Sequence, residues 1–201
     1  MDFLAVQGHG LREPDSVRLK CPWHVWVAMN VALDLEEVLA DTIHEACLST
    51  DKLEPDDFAS WELSDHTWQV YSGVSDALWR HDALSISPVE NDLSSYTKEM
   101  KESTDQLDVV TARLHVDPQI ENWLNYYNVE YDSIVSTREP KHRLGYDVYI
   151  DDNPEMHGEC RLLLRNHPHN QSVDDERSKA TDRIESLAEA AQFFPSGNRK
   201  I

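Results

Sequence analysis

Val31-Ala-Leu-Asp-Leu-Glu-Glu-Val-Leu-Ala-Asp-Thr42 is the stretch from which the fold is read. The run from Asn30 to Leu35 is short, apolar and β-branched, and it stops at acids. A strand buried on both faces reads this way when its C-terminal end carries carboxylates. In open α/β sheets ligands bind beyond the carboxyl ends of the strands, which places Asp34 and Glu36 where chemistry is expected. The same residues also read as a buried strand followed by an acidic helix cap. Taken alone, the stretch weighs the two readings about equally.

Three later runs repeat the pattern. Leu107-Asp-Val-Val-Thr-Ala-Arg113 is apolar and ends near Thr111. Tyr131 to Ser136 is a third strand, and Lys141 follows it in a loop. Tyr146-Asp-Val-Tyr-Ile-Asp-Asp-Asn-Pro154 is a hydrophobic strand that ends in paired acids, Asp151 and Asp152. Such a pair before a turn is usually a solvated corner. At the end of a strand buried on both faces it needs a cation or polar partners instead. Cys160 to Arg165 is a fifth strand.

Helical spacing links these runs. Val38, Leu39, Thr42, Ile43 and Ala46 share one face after the first strand, and Ile120, Trp123, Leu124 and Tyr127 share one after the second. Residues 48–102 change character, with Trp61, Trp68, Tyr71, Leu78 and Trp79 scattered among acids, a helix start at Pro55-Asp-Asp-Phe58 and a break at Ser87-Pro88. They read as a helical insert, and Asp174 to Phe193 as a closing amphipathic helix. Strands alternating with helices predict an α/β domain with a parallel sheet. The expected organisation is an extension over 1–28, a core from 29–47 and 103–201, and a helical cap over 48–102.

Composition narrows the partners. The formal net charge is −20, from 38 acids against 18 bases, and the acids are spread along the chain. Phosphate polymers and anionic membrane surfaces are repelled by such a protein. A diffuse acidic surface is also a habit of proteins from salt-loaded cytoplasm, which suggests a halophilic source. Cys21, Cys47 and Cys160 are widely spaced and form no Cys-x-x-Cys, so reduced thiols in a cytoplasmic protein are expected and no zinc signal is present. His167 and His169 read as loop residues, since no third ligand stands nearby in sequence.

The opening stretch resembles the first motif of the haloacid dehalogenase (HAD) superfamily, Asp-x-Asp-Gly-[Thr/Val]-Leu-x-Asp-[Thr/Ser]. It matches at Asp34, Val38, Leu39, Asp41 and Thr42. Glu36 stands where the motif has Asp, and Glu37 where it has Gly. Thr111-Ala-Arg113, Lys141 and Asp151-Asp152 follow in the order of the superfamily's later motifs. Leu53 to Trp61 and His167-Pro-His-Asn170 are similar to segments of its 5′(3′)-deoxyribonucleotidase-like branch.

The resemblance implies the three-layer, doubly wound form of the α/β domain. It implies a Mg²⁺-dependent phosphatase acting on a small phosphomonoester, with a nucleoside monophosphate as one class. It implies Asp34 as nucleophile and Glu36 in the place of the proton donor. It further implies Thr111 and Lys141 on the phosphoryl oxygens, and Asp34, one or both of Asp151 and Asp152, and the Glu36 carbonyl around the metal; Arg113 reads either as a substrate contact or as a residue that stabilises the core loop. Glu36 carries its carboxyl one methylene further out than Asp, and Glu37 brings a charged side chain to a backbone position suited to glycine. These two departures leave a second reading open, a HAD-fold protein with weak or no turnover that binds a ligand or partner.

Overall fold

A computed structural model describes residues 29–156, 160–174, 178 and 180–194. The extension expected over 1–28 lies outside the described residues. The sheet has six strands, all parallel, in the order β3-β2-β1-β4-β5-β6. They are β1 (Asn30–Asp34), β2 (Gln106–Thr111), β3 (Ile134–Ser136), β4 (Val148–Asp151), β5 (Arg161–Arg165) and β6 (Asp182–Ile184). The helices are α1 (Thr42–Ser49), α2 (Asp65–His81), α3 (Leu93–Ser103), α4 (Asp117–Tyr126) and α5 (Leu187–Gln192).

Period-two alternation assigns the strand side chains to two cores. Val31, Leu33, Leu107, Val109, Val148, Ile150, Leu163 and Ile184 join the larger one with side chains of the helices. Ala32, Val110, Tyr149, Leu162 and Leu164 face the other way, against Leu144, Tyr146, Met156 and Ala180 from the connecting segments. Both faces are therefore covered, as the continuous apolar runs require. The strand order reverses between β1 and β4, which makes the crevice past Asp34 and Asp151 the topological switch point.

The insert between α1 and α3 is anchored by aromatic packing. Trp79 of α2 meets Trp123 of α4 edge-on at 6.1 Å between ring centroids. The Trp123 indole donates to the Ile86 carbonyl at 2.8 Å. α3 packs against β2 and α5.

The closing helix is shorter than its periodicity predicts. Asp182–Ile184 forms edge strand β6 beside β5, and the helix begins only at Leu187, with Ser186 accepting from the Glu189 N–H. Ile184 and Leu187 are both fully buried, so their three-residue spacing imitates one helical face although they belong to different elements. No helix among the described residues is long and apolar enough to cross a membrane.

Candidate active site

The sheet register brings the strand tips together. Leu33 is level with Ile150 and Asp34 with Val110, so β1 and β4 end side by side. Asp34, Asp151 and Asp152 each offer an oxygen within 4.8 Å of the others. The Lys141 ammonium sits among them, 2.6 Å from Asp34 Oδ2 and 2.8 Å from Asp151 Oδ2. Its backbone is fixed from β4, because the Tyr149 hydroxyl donates to the Lys141 carbonyl at 2.6 Å. The second oxygens of the two strand-end carboxylates take backbone donors, the Leu35 N–H for Asp34 and the Asn153 N–H for Asp151. Asn170 donates to the Asp152 carbonyl at 2.8 Å and so ties the turn after β4 to the turn after β5.

This group has one cation for three acids. Burial pushes the Asp34 carboxyl well up, repulsion from Asp151 adds to the rise, and Lys141 opposes it. Asp151 is raised by burial and by Asp152, again against Lys141. Burial alone would lower Lys141, but Asp151 and Asp34 outweigh it and hold the ammonium protonated. Two like charges within 4.8 Å repel by about 3–4 kcal/mol at an effective dielectric near 20. Hard, buried, oxygen-only donors in excess over the local cation are the ligand set that Mg²⁺ takes. The residues therefore fit that ion.

Glu36 and Arg113, distant in sequence, form a bidentate pair. Arg113 Nε lies 3.0 Å from Glu36 Oε2, and Nη2 lies 2.6 Å from Oε1. The same guanidinium donates to Ser75 Oγ at 2.7 Å and approaches Asp76 at 3.5 Å, both on α2. Arg113, for which the sequence leaves open a substrate contact or a role in steadying the loop, pairs with Glu36 and the insert while also lining the cleft. Thr111 ends β2 fully buried, and its hydroxyl oxygen accepts from the Arg113 N–H at 3.1 Å.

Glu37 resolves the backbone question raised by its missing glycine. Its φ is +59°, the left-handed region where glycine is cheapest and other residues pay about 1–2 kcal/mol. The side chain lies at the base of the cleft and is 3% exposed. Oε1 accepts from the Ile43 N–H at 2.8 Å, in the first turn of α1, where an acid is favoured by the helix dipole. Oε2 lies 3.1 Å from His167 Nε2. His167 Nδ1 is 2.9 Å from His169 Nδ1, and His169 Nε2 is 2.8 Å from Asp152 Oδ2. The sequence reads the two histidines as loop residues. In fact they span from Glu37 to Asp152 through the 3₁₀ turn Pro168–Asn170. Their partners come from the turns after β1 and β4, so no local spacing announces them.

A cleft of about 1240 Å³ opens above this floor. Its walls include Trp61, Trp68, Tyr71 and Arg80 from the insert, with Arg113 and Arg138 from the core. Trp68 is 56% exposed and 6.1 Å from Tyr71, and Trp61 stands 5.5 Å from His169. Phe58, by contrast, is core, packed edge-on against Tyr71.

Residues 28–194 match the family described as 5′ nucleotidase, deoxy (pyrimidine), cytosolic type C protein. The chain belongs to this family. It is a HAD-like hydrolase family, and the match bears out the nucleotidase-like branch expected from Thr111-Ala-Arg113 and the segments around Trp61 and Asn170. No curated protein matches the chain in sequence.

Solved structures share the fold at low identity. A haloacid dehalogenase-like hydrolase from Streptococcus pneumoniae superposes with a TM-score of 0.57 at 13% identity, covering 83% of this chain and 98% of that one. A predicted phosphoglycolate phosphatase from Haemophilus somnus gives 0.55 at 11% identity, covering 83% and 97%. A HAD-superfamily hydrolase from Geobacter sulfurreducens gives 0.52 at 13%, covering 83% and 100%.

Proposed function

We propose that this nucleotidase-family protein hydrolyses a nucleoside monophosphate, with Mg²⁺ held by Asp34, Asp151, Asp152 and the Glu36 carbonyl. The observation that carries the reading is the meeting of Asp34, Lys141, Asp151 and Asp152 at the switch point, beneath a tryptophan-lined cleft. Mg²⁺ supplies the positive charge that lets a phosphoryl dianion approach these carboxylates.

The chain's own residues then divide the work. Asp34, paired with Lys141 at 2.6 Å, attacks phosphorus, and the bond to the nucleoside oxygen breaks as an aspartyl-phosphate forms. Lys141 and the Thr111 hydroxyl hold the phosphoryl oxygens; Thr111 accepts from the Arg113 N–H and so keeps its own proton to donate. Glu36 gives a proton to the leaving oxygen, then takes one from the water that attacks phosphorus and releases phosphate. Arg113 engages both Glu36 oxygens, so proton delivery requires that pair to open first. Trp61 and Trp68 offer faces on which a base stacks, and Arg80 sits on the same side of the cleft.

Purified protein incubated with a panel of nucleoside monophosphates in Mg²⁺ tests the reading. Phosphate release that Asp34→Asn abolishes supports it. Release that persists in Asp34→Asn removes Asp34 as nucleophile.

A further inference from the structure

Glu37, Asp41 and His167 form a second cluster beside the Asp34 floor, joined to its Asp152 through His169, and take no part in the steps above. Each offers a ligand atom within 4.8 Å of the other two. Glu37 is 3% exposed, yet its Oε2 has no hydrogen-bond partner. The nearest polar atom, His167 Nε2, stands 3.1 Å away without the alignment of a hydrogen bond. Two donors that converge at this separation without pointing at each other are spaced as neighbouring ligands of one cation, each about 2.0–2.2 Å from it. We infer that Glu37, Asp41 and His167 form a second divalent-cation site, of the kind filled by zinc.

The proton count agrees. A cation on His167 Nε2 requires the hydrogen of that ring to sit on Nδ1, where it donates to His169 Nδ1 at 2.9 Å. The hydrogen on His167 Nδ1 thus has a ring nitrogen to face. His169 Nε2 stands 2.8 Å from Asp152 Oδ2, likewise without the alignment of a hydrogen bond. Metal-bound histidines are commonly oriented in this way by a partner on the other ring nitrogen.

Charge and donor chemistry agree as well. Two carboxylates and an imidazole would balance the charge of a divalent ion, and the nitrogen favours zinc or a related transition metal over Mg²⁺. Asp41 is placed by its role as the N-cap of α1, where one oxygen accepts from the His44 N–H at 3.2 Å and the other is left for a ligand. The turn that carries both acids is clamped by the Ser87 carbonyl, which accepts from the Asp41 N–H at 2.9 Å.

Equilibrium dialysis against Zn²⁺ in excess Mg²⁺, followed by elemental analysis, tests the site. Wild type is expected to retain zinc, and His167→Gln, Glu37→Gln and Asp41→Asn to weaken it about tenfold or more. Asp34→Asn, which alters only the floor, is expected to leave it unchanged. Zinc that is lost from Asp34→Asn but kept by His167→Gln resides on the floor and overturns the site, as does wild type that binds none. X-ray absorption of zinc-loaded wild type needs no variant to fold: imidazole scattering is expected, and an all-oxygen shell contradicts the site.

Discussion

The guanidinium of Arg113 holds both carboxylate oxygens of Glu36, at 3.0 and 2.6 Å, and joins them to Ser75 on α2. The extra methylene of glutamate is what lets the carboxyl reach this fork. Arg113→Lys keeps the charge but loses the planar, two-pronged geometry. The expected result is a fall in kcat of about tenfold with little change in KM, because the pair positions a proton carrier rather than the substrate. Loss of charge-assisted hydrogen bonds is also expected to lower folding stability by about 2 kcal/mol, read from denaturant melts. An unchanged kcat removes Arg113 as a positioning residue.

Glu36 itself is expected to govern the rate. Glu36→Gln retains the size and loses the proton, so kcat is expected to fall by about 10²–10⁴ in steady-state assays with Mg²⁺. Glu36→Asp keeps the proton and withdraws the carboxyl from Arg113, and is expected to retain more activity than the glutamine variant. Equal activity of the two would assign the proton transfer elsewhere.

The cleft aromatics predict a split between substrates. Trp68 is half-exposed on the wall, where it contributes little to the core. Trp68→Ala is expected to raise KM for a nucleoside monophosphate about tenfold, the worth of one stacked base, and to leave glycerol phosphate hydrolysis unaltered. Parallel kinetics on the two substrates check this, and an equal change in both rules out base stacking at Trp68.

The crowded floor carries a pH signature. Asp34 and Asp151 are raised by burial and then by neighbouring acids, so the folded protein binds their protons more tightly than the unfolded chain, whose value is near 3.8. Stability from these groups is therefore present at low pH and falls as pH rises from about 3.8 through the raised values. Lys141 is raised as well, and its contribution persists until pH passes its ordinary value of 10.5. Thermal melts of metal-free protein across this range are expected to lose Tm with rising pH, less so in Asp34→Asn. Added Mg²⁺ is expected to restore Tm most where the loss is greatest. Identical pH profiles for wild type and Asp34→Asn contradict the strain assigned to the floor.

The parts of this architecture legible in the sequence are those in which local pattern and burial agree. β1 and β4 are apolar runs that end in acids, and the sheet puts Asp34 and Asp151 where that pattern implies. Lys141 and the paired acids were separated by a spacing the superfamily shares. β6 was not legible, because a three-residue edge strand supplies too few alternations to compete with the helical spacing of Ile184 and Leu187. The Glu36–Arg113 pair spans 77 positions, and the path from Glu37 through His167 and His169 to Asp152 joins the turns after three strands. Neither leaves any trace in a window of sequence. The departure of Glu37 from glycine was visible, but its meaning lay in the buried position that its left-handed backbone permits.

The central claim is that Asp34 attacks phosphorus. Rapid acid quench of a single turnover with a nucleoside monophosphate and Mg²⁺, followed by peptide mass spectrometry, tests it most directly. The account predicts a phosphoryl group on Asp34 that appears before free phosphate and is absent from Asp34→Asn. Phosphate released in the same time course with Asp34 unmodified throughout would contradict it.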